Sequence, residues 1–448
     1  MRSTLDRCVP LSFLVVMTLT AGQGFLPSRA AAQMCDFSPV ANVAQGIVDD
    51  ALLVTGASVW LETGDLSVDE TFHLGTFDDT TVVPIASATK LLSAVVILSL
   101  VDDNLLDLDA PLSSYLPQWT GVAGTMTVRQ MFSHTSGLPG GSDHAVLGDD
   151  TLTLAQAVEV IRTTIPLAAP PGAEFSYGGL SMHVAGRVAE VVSGQPWSQL
   201  FADRVATPLG LTTTDYFAFG FTLNPRIAGG ARSSLGDYGR VLQMIRDRGA
   251  WNGVPVLTPA AVATMTSDQT AGATIVTSPA PPGTRYGVGV WLDEVAATGE
   301  VLRISSPGAF GFTPWIDLDL RLAAIFMVQY SYALVRDDTF LMQDLAHAEA
   351  VSCLPLFRRG DVNADSALDI GDPIALLGRL FPSAGPPAAV PCEDALDAND
   401  DGEINIADAV RLLNSLFGLG PNIIPFPGTL CSIDGSVDAL TCTASICP

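Results

Sequence analysis

The chain has 448 residues, 48% of them hydrophobic, and a formal net charge of −26 from 47 acidic and 21 basic side chains. That length and apolar content exclude wholesale disorder and call for more than one domain. A field of that sign excludes nucleic acid and anionic membranes as partners and suits a solvated surface or calcium ligation.

Residues 1–32 read as a secretory signal. Arg2 and Arg7 precede an apolar run from Leu11 to Leu19, and Ala30, Ala31 and Ala32 offer a small-residue cleavage site before Gln33. The run is too short to span a bilayer. The mature chain is therefore expected to have no membrane span and to be secreted, periplasmic or held at the cell surface. Six of the seven cysteines follow the signal: Cys35, Cys353, Cys392, Cys431, Cys442 and Cys447. An even number in an exported chain favours disulfides. Cys35 and Cys353 bracket the large domain, so their pairing would tie its two ends together.

Residues 33–355 mix helical and strand patterns. Ala51–Trp60 and Leu320–Gln329 read as core strands. Ala88–Val101 is almost continuously apolar at helix length and reads as a buried central helix. Val184–Val192 and Tyr238–Arg248 read as further helices, the second running to a Gly249 stop.

The chain contains 20 arginines and one lysine, Lys90. A guanidinium stays protonated, whereas a lysine whose environment lowers its pKa can accept a proton. The sole lysine either stands where arginine is chemically unacceptable or survives by chance in an arginine-biased chain. Ser87-Ala88-Thr89-Lys90 opens the central helix. A spacing of three puts the Ser87 hydroxyl and the Lys90 amine on one face, one turn apart. Burial would lower the amine, and the free Ser87 N–H could serve an oxyanion hole. Alone, the spacing fits an N-cap serine equally well.

The serine and lysine stand first in an ordered series. Leu105-Leu106-Asp107-Leu108-Asp109 follows, then Ser133-His134-Thr135-Ser136-Gly137, Phe175-Ser176-Tyr177, Pro208-Leu209-Gly210-Leu211, and Ser306-Pro307-Gly308-Ala309-Phe310-Gly311. Over roughly residues 40–350 the series resembles the serine β-lactamase-like family of class C β-lactamases, D-alanyl-D-alanine peptidases and related esterases. The resemblance implies an α+β fold, a mostly antiparallel sheet flanked by helices. It implies Ser87 as nucleophile, Lys90 as base and Tyr177 in the proton relay, as phenolate or through its O–H. Ser87 and Ala309 would give the backbone oxyanion donors, and Gly179, Ser306 and Gly308 the substrate-binding wall. No cofactor is implied for catalysis. His134 fits a structural turn, since Lys90 already fills the role of base.

Two motifs depart from the family. Tyr177-Gly178-Gly179 replaces Tyr-x-Asn, and Ser306 stands where the family has lysine or histidine. The first removes an amide and the second a cation that would hold a substrate carboxylate. Two function classes follow. One is a serine hydrolase acting on esters or other small acyl substrates, with β-lactams and D-alanyl peptides less favoured. The other is a catalytically weak, penicillin-binding-like binding module tethered by a calcium-dependent docking domain.

From Gly360 the texture changes. Asp361–Phe381 recurs as Asp397–Phe417 at a constant offset of 36 residues, which marks a duplication. Asp361, Asn363, Asp365, Ala367, Asp369 and Asp372 take positions 1, 3, 5, 7, 9 and 12 of an EF-hand-type loop, and Asp397, Asn399, Asp401, Glu403, Asn405 and Asp408 repeat them. The spacing delivers converging oxygens suited to Ca²⁺, with position 7 acting through its carbonyl. Gly402 fits the sharp turn at position 6; Ser366 departs from it. The final Asp and following Leu-Leu resemble type I dockerin repeats, which implies a small α-helical domain over 360–418 and a cohesin-like partner. A Cys-containing, loop-like tail, 419–448, would complete the chain.

Overall fold

The computed structural model describes residues 35–64, 68–353, 355–382 and 390–418, with short stretches between 424 and 447. The signal read over 1–32 and much of the tail lie outside the described residues.

A seven-stranded sheet organises the chain up to Cys353. Its strands are β1 (Gly56–Thr63), β2 (Asp69–Gly75), β3 (Arg285–Tyr286), β4 (Trp291–Val295), β5 (Val301–Ser305), β6 (Thr313–Asp317) and β7 (Leu322–Val328). Their spatial order is β2–β1–β7–β6–β5–β4–β3, and every neighbouring pair is antiparallel. The strand predicted from Ala51 begins only at Gly56, because Leu52 and Leu53 form an exposed turn.

Antiparallel sheets commonly leave one face wet. Here both faces of β1 and β7 are buried, and the period of two sorts their side chains. Trp60, Ile325 and Met327 join one core, while Val59, Leu61, Phe326 and Val328 join the other. Helices cover both faces: α1 (Ser38–Asp50), α2 (Thr89–Asp102), α3 (Leu180–Ser193), α4 (Leu235–Arg246) and α5 (Tyr332–Cys353). Val40, Ala44 and Ile47 of α1 and Val335 and Met342 of α5 pack in the second core. Leu91 and Val95 of α2, Val184 of α3 and Val241 of α4 pack in the first. Every side chain of α2 from Thr89 to Leu100 is buried, as its almost continuous apolarity predicts.

Cys35 pairs with Cys353, with Cα atoms 5.2 Å apart, so the residues before α1 and at the end of α5 are joined as expected. Cys392 pairs with Cys442, and Cys431 with Cys447.

In the C-terminal region, α6 (Gly371–Leu380) and α7 (Ile406–Phe417) each follow an acidic loop. They pack around their own small core of Phe357, Leu376, Leu396, Ala409 and Leu412. The tail is less separate than its composition suggests. Ile433, Cys431 and Cys447 pack with Leu356 in the second core of the large domain. Ser432 pairs with Phe357 through backbone bonds of 2.9 and 3.0 Å, and its hydroxyl donates to the Asp319 carbonyl.

The Cys35–Cys353 bridge closes a very long loop, so replacing both cysteines with serine is expected to cost about 2–5 kcal/mol of stability. Non-reducing denaturant unfolding measures this, and an unshifted midpoint would show that the bridge contributes nothing.

Candidate active site

Ser87 lies in a 3₁₀ turn, Ala86–Ala88, and α2 proper begins at Thr89. The nucleophile candidate is thus just before the helix rather than in it. Ala86 has φ +43°, a left-handed backbone that costs a residue with a Cβ about 1–2 kcal/mol. The bend is held by its surroundings. The Ala88 N–H donates to the Ile85 carbonyl at 3.0 Å, the Ile85 N–H to Ala231 at 3.0 Å, and the Tyr238 hydroxyl to the Ala88 carbonyl at 2.7 Å.

One turn on, the Lys90 amine donates to the Ser87 hydroxyl at 3.1 Å and to the Ala228 carbonyl at 2.9 Å. It also stands 4.6 Å from the centre of the Tyr177 ring. No carboxylate pairs with it among the described residues. Burial without a counter-charge penalises the ammonium, and the pKa of Lys90 falls to about 7. Near neutrality a large fraction is therefore a free amine able to take the Ser87 proton. Burial has the opposite effect on Tyr177. It raises the phenol well above its ordinary value, more than a hydrogen bond with Ser87 lowers it. Tyr177 stays a neutral hydroxyl, so of its two expected forms the proton-shuttling O–H is the one this site supports.

Ser87, Lys90, Tyr177 and Ala309 line one cavity of about 340 Å³. The backbone N–H groups of Ser87 and Ala309 have no acceptor among the described residues. Ala309 sits on the 306–312 turn between β5 and β6, a turn closed by a 2.8 Å bond from the Gly308 N–H to the Phe312 carbonyl. Two unengaged donors beside a nucleophile can stabilise a developing oxyanion.

The β-lactamase family model matches residues 51–347, about two thirds of the chain and all of this site. The chain belongs to the Beta-lactamase family. A candidate β-lactamase from Bacteroides dorei is 34% identical, with a TM-score of 0.60, over 66% of this chain and 91% of that one. The D-alanyl-D-alanine-carboxypeptidase/endopeptidase AmpH of Escherichia coli is 34% identical over 143 residues, 30% of this chain and 37% of AmpH. Esterase EstB of Burkholderia gladioli is 33% identical over 147 residues, 29% of this chain and 37% of EstB. These matched stretches span little more than a third of either curated relative.

Other residues of the family pattern fall differently. Gly179 lines the cavity, but a Cβ there would meet Leu147 Cδ1 at 2.8 Å. The end of the Leu147 side chain would have to shift to admit the family asparagine. Ser306 and Gly308 do not line the cavity, contrary to the expected substrate-binding wall. Ser306 is buried, and its hydroxyl points back to the Ser87 carbonyl at 3.4 Å. Gly308 packs beneath the nucleophile turn, where a Cβ would come within 2.1 Å of the Ile85 carbonyl oxygen. Both support the turn from behind.

His134 is buried among Phe175, Tyr177 and Tyr286, its ring 4.5 Å from that of Tyr177. Its Nδ1 accepts from the Gly178 N–H at 3.4 Å, and burial with the nearby Lys90 charge lowers it well below the usual histidine range. It braces the tyrosine and makes no hydrogen bond to Ser87. Leu147, His183, Phe219 and Arg226 are among the lining residues that the sequence reading missed. They come from segments without a motif, so spacing offered no signal for them.

The two acidic loops share one hydrogen-bond pattern. The Asp361 carboxylate accepts from the N–H groups of Asp365 and Ser366 at 3.1 and 2.9 Å, and that of Asp397 from Asp401 and Gly402 at 3.2 and 2.7 Å. Asp372 and Asp408 close the loops by accepting from Asp369 and Asn405 at 2.9 and 2.8 Å. All four of these aspartates are buried. Asp369 and Asn405 accept from Gly371 and Ala407 at 2.6 and 2.8 Å, at the starts of α6 and α7. Each loop thus carries two buried carboxylates, both engaged by N–H groups of the loop itself. Position 6 has φ +66° at Ser366 and +78° at Gly402, so the serine carries strain that the glycine does not.

The depressed Lys90 gives a pH dependence of known sign. Acylation by a nitrophenyl ester is expected to rise about tenfold per unit up to pH 7, as Lys90 loses its proton, and then to level. Lys90→Arg, which cannot deprotonate, is expected to lose at least about 100-fold in rate and the rising limb with it. Near-normal activity in folded Lys90→Arg protein would remove Lys90 from the chemistry.

Proposed function

We propose that this protein is an exported serine hydrolase that works through an acyl-enzyme on esters or related acyl substrates. The observation that carries this reading is an uncompensated, buried Lys90 with its amine 3.1 Å from the Ser87 hydroxyl. In the proposed cycle the substrate carbonyl oxygen takes the N–H groups of Ser87 and Ala309. Ser87 attacks the carbonyl carbon while Lys90 accepts its proton. Collapse of the tetrahedral intermediate expels the alcohol, which regains the proton through the Tyr177 hydroxyl. Water repeats both steps on the acyl-enzyme, releases the acid and restores Ser87. Export is supported by three paired disulfides. No helix among the described residues is long and apolar enough to cross a membrane.

The cavity argues for esters over β-lactams. Gly179 offers no side-chain amide, and Ser306 faces inward. A lost neutral hydrogen bond costs roughly 1 kcal/mol and a lost charged one about 1.5–3 kcal/mol, together about two to three decades for substrates that need both. A short-chain ester needs neither. EstB is named an esterase and AmpH a carboxypeptidase, so relatives with this fold include both chemistries. The test is the ratio of specificity constants for a short-chain nitrophenyl ester and a chromogenic cephalosporin. The ester should lead, and a preference for the cephalosporin overturns the assignment.

In the same proposal the C-terminal loops bind two calcium ions, and α6 and α7 form a dockerin-like surface for a cohesin-like partner. Asp361, Asn363, Asp365, Ala367, Asp369 and Asp372, and their counterparts Asp397, Asn399, Asp401, Glu403, Asn405 and Asp408, would hold the ions. Titration calorimetry of the full chain should show two sites of unequal affinity. Ser366→Gly, which relieves the left-handed serine, should tighten the weaker one by about 1 kcal/mol. A heatless titration would remove calcium from the reading.

A further inference from the structure

The protein is strongly acidic, and its arginines are spoken for. Arg129, Arg162, Arg204, Arg232 and Arg246 each meet a carboxylate at 2.9 Å or less. Among the described residues, Arg226 is the one arginine whose guanidinium has neither an ion pair nor a hydrogen bond. It lines the catalytic cavity together with Ser87. Its guanidinium lies 4.5 Å from the centre of the Phe219 ring, and Phe219 meets Phe310 edge-on at 6.4 Å, next to the oxyanion donor Ala309. A Cβ at Gly148 would approach the Arg226 guanidinium to 2.9 Å, so that glycine leaves room for it. The fork is half-buried, seated on an aromatic face and open to the cavity.

A second group in the same cavity also lacks a partner. His183, one turn beyond Gly179 on α3, is 1% exposed. Its Nε2 stands 3.0 Å from Asn224 Oδ1. The Asn224 amide donates to the carbonyls of Val146 and Asp149 at 2.9 and 3.2 Å, which fixes its oxygen toward the histidine. The hydrogen of the imidazole is therefore on Nε2, and Nδ1 is a bare acceptor with no partner. Burial lowers His183 to about 4, with the Arg226 charge acting the same way, so the acceptor persists at neutral pH. A buried acceptor left empty beside an unpaired guanidinium is costly unless a ligand completes both.

We infer that Arg226 and His183 form an anion-recognition site in the catalytic cavity, so that the favoured substrates are esters carrying one carboxylate with a hydroxyl or amide donor beside it. This rests on the serine-hydrolase reading of the same cavity. A planar guanidinium matches a carboxylate through two parallel hydrogen bonds. One negative charge is favoured over two, because a net charge of −26 opposes each added one. Arg226 lies on the segment preceding Ala228 and not at the third-motif position, so it does not restore there the cation that Ser306 lacks.

The test uses the full chain with Ser87→Ala and two probes that differ only in charge: monomethyl 3-hydroxyglutarate and its neutral dimethyl ester. Calorimetry should show the monoanion binding at least about tenfold more tightly. Adding Arg226→Met should weaken the monoanion roughly 10- to 100-fold and remove the difference between probes, while Arg226→Lys should restore part of it. If the Met variant does not fold, Arg226→Gln gives the same comparison. Equal affinity for the two probes, no measurable binding of the monoanion, or binding that survives loss of the guanidinium overturns the inference. Intact-mass detection of a butyryl adduct on Ser87, using nitrophenyl butyrate and the unaltered chain, tests the underlying reading separately. An adduct without charge discrimination sinks the anion site alone; charge discrimination without an adduct sinks the hydrolase reading alone.

Discussion

Taking a lysine ammonium out of water without giving it a carboxylate is expensive. A pKa lowered from 10.5 to about 7 corresponds to about 5 kcal/mol of disfavour for the charged form. The penalty is carried in full below pH 7, where folded and unfolded chains are both protonated, and it fades as pH rises toward the ordinary lysine range. The fold is arranged to bear it. Leu91, Leu92 and the apolar run from Ala94 to Leu98 follow Lys90 on α2, in one core with residues of α3, α4 and the sheet. Each buried Leu or Val returns about 1.5–3 kcal/mol, enough in number to hold one reactive amine in place. A matching acid beside Lys90 would remove the penalty and the reactivity together.

The sheet's own burial follows from the same demand. A one-sided antiparallel sheet could pack α2 but would leave its other face wet. With α1 and α5 on the far face, β1 and β7 become interior strands, and the 306–312 turn between β5 and β6 is placed rigidly against the nucleophile turn. Ser306 and Gly308 belong to this support. One sends a hydroxyl to the Ser87 carbonyl, and the other allows the Ile85 carbonyl to approach closely. Substrate contact and backbone support were both open to a serine at that motif position, and its direction decides between them.

How much of this was legible in the sequence depended on the kind of signal. Long periodic or apolar segments were: α2 and β7 fall within a residue or two of expectation, as does the Cys35–Cys353 pair. Ser87 and Lys90 were singled out by their spacing of three and Tyr177 by the family resemblance, and the structure brings all three to one cavity. Leu52 and Leu53 misled because apolarity alone does not bury a residue in a turn. Arg226 and His183 were invisible for a different reason. Nothing local marks them, and what distinguishes them is a missing partner, which exists only once the other arginines have found theirs. The neighbour that a side chain at position 179 would meet, Leu147, is likewise 32 residues away in sequence.

The tail packs on a particular side of the molecule. Leu356, Ile433 and the Cys431–Cys447 pair lie with α1, α5 and the Cys35–Cys353 bridge, on the face of the sheet remote from α2. Tension applied through the C-terminal loops and helices would therefore enter a layer stapled by two disulfides and spread along the strands in shear, their mechanically stiff direction. The strained turn at Ala86 lies on the other side of that plate. A load entering there would meet the sheet and its two disulfides before it reached the turn that carries Ser87.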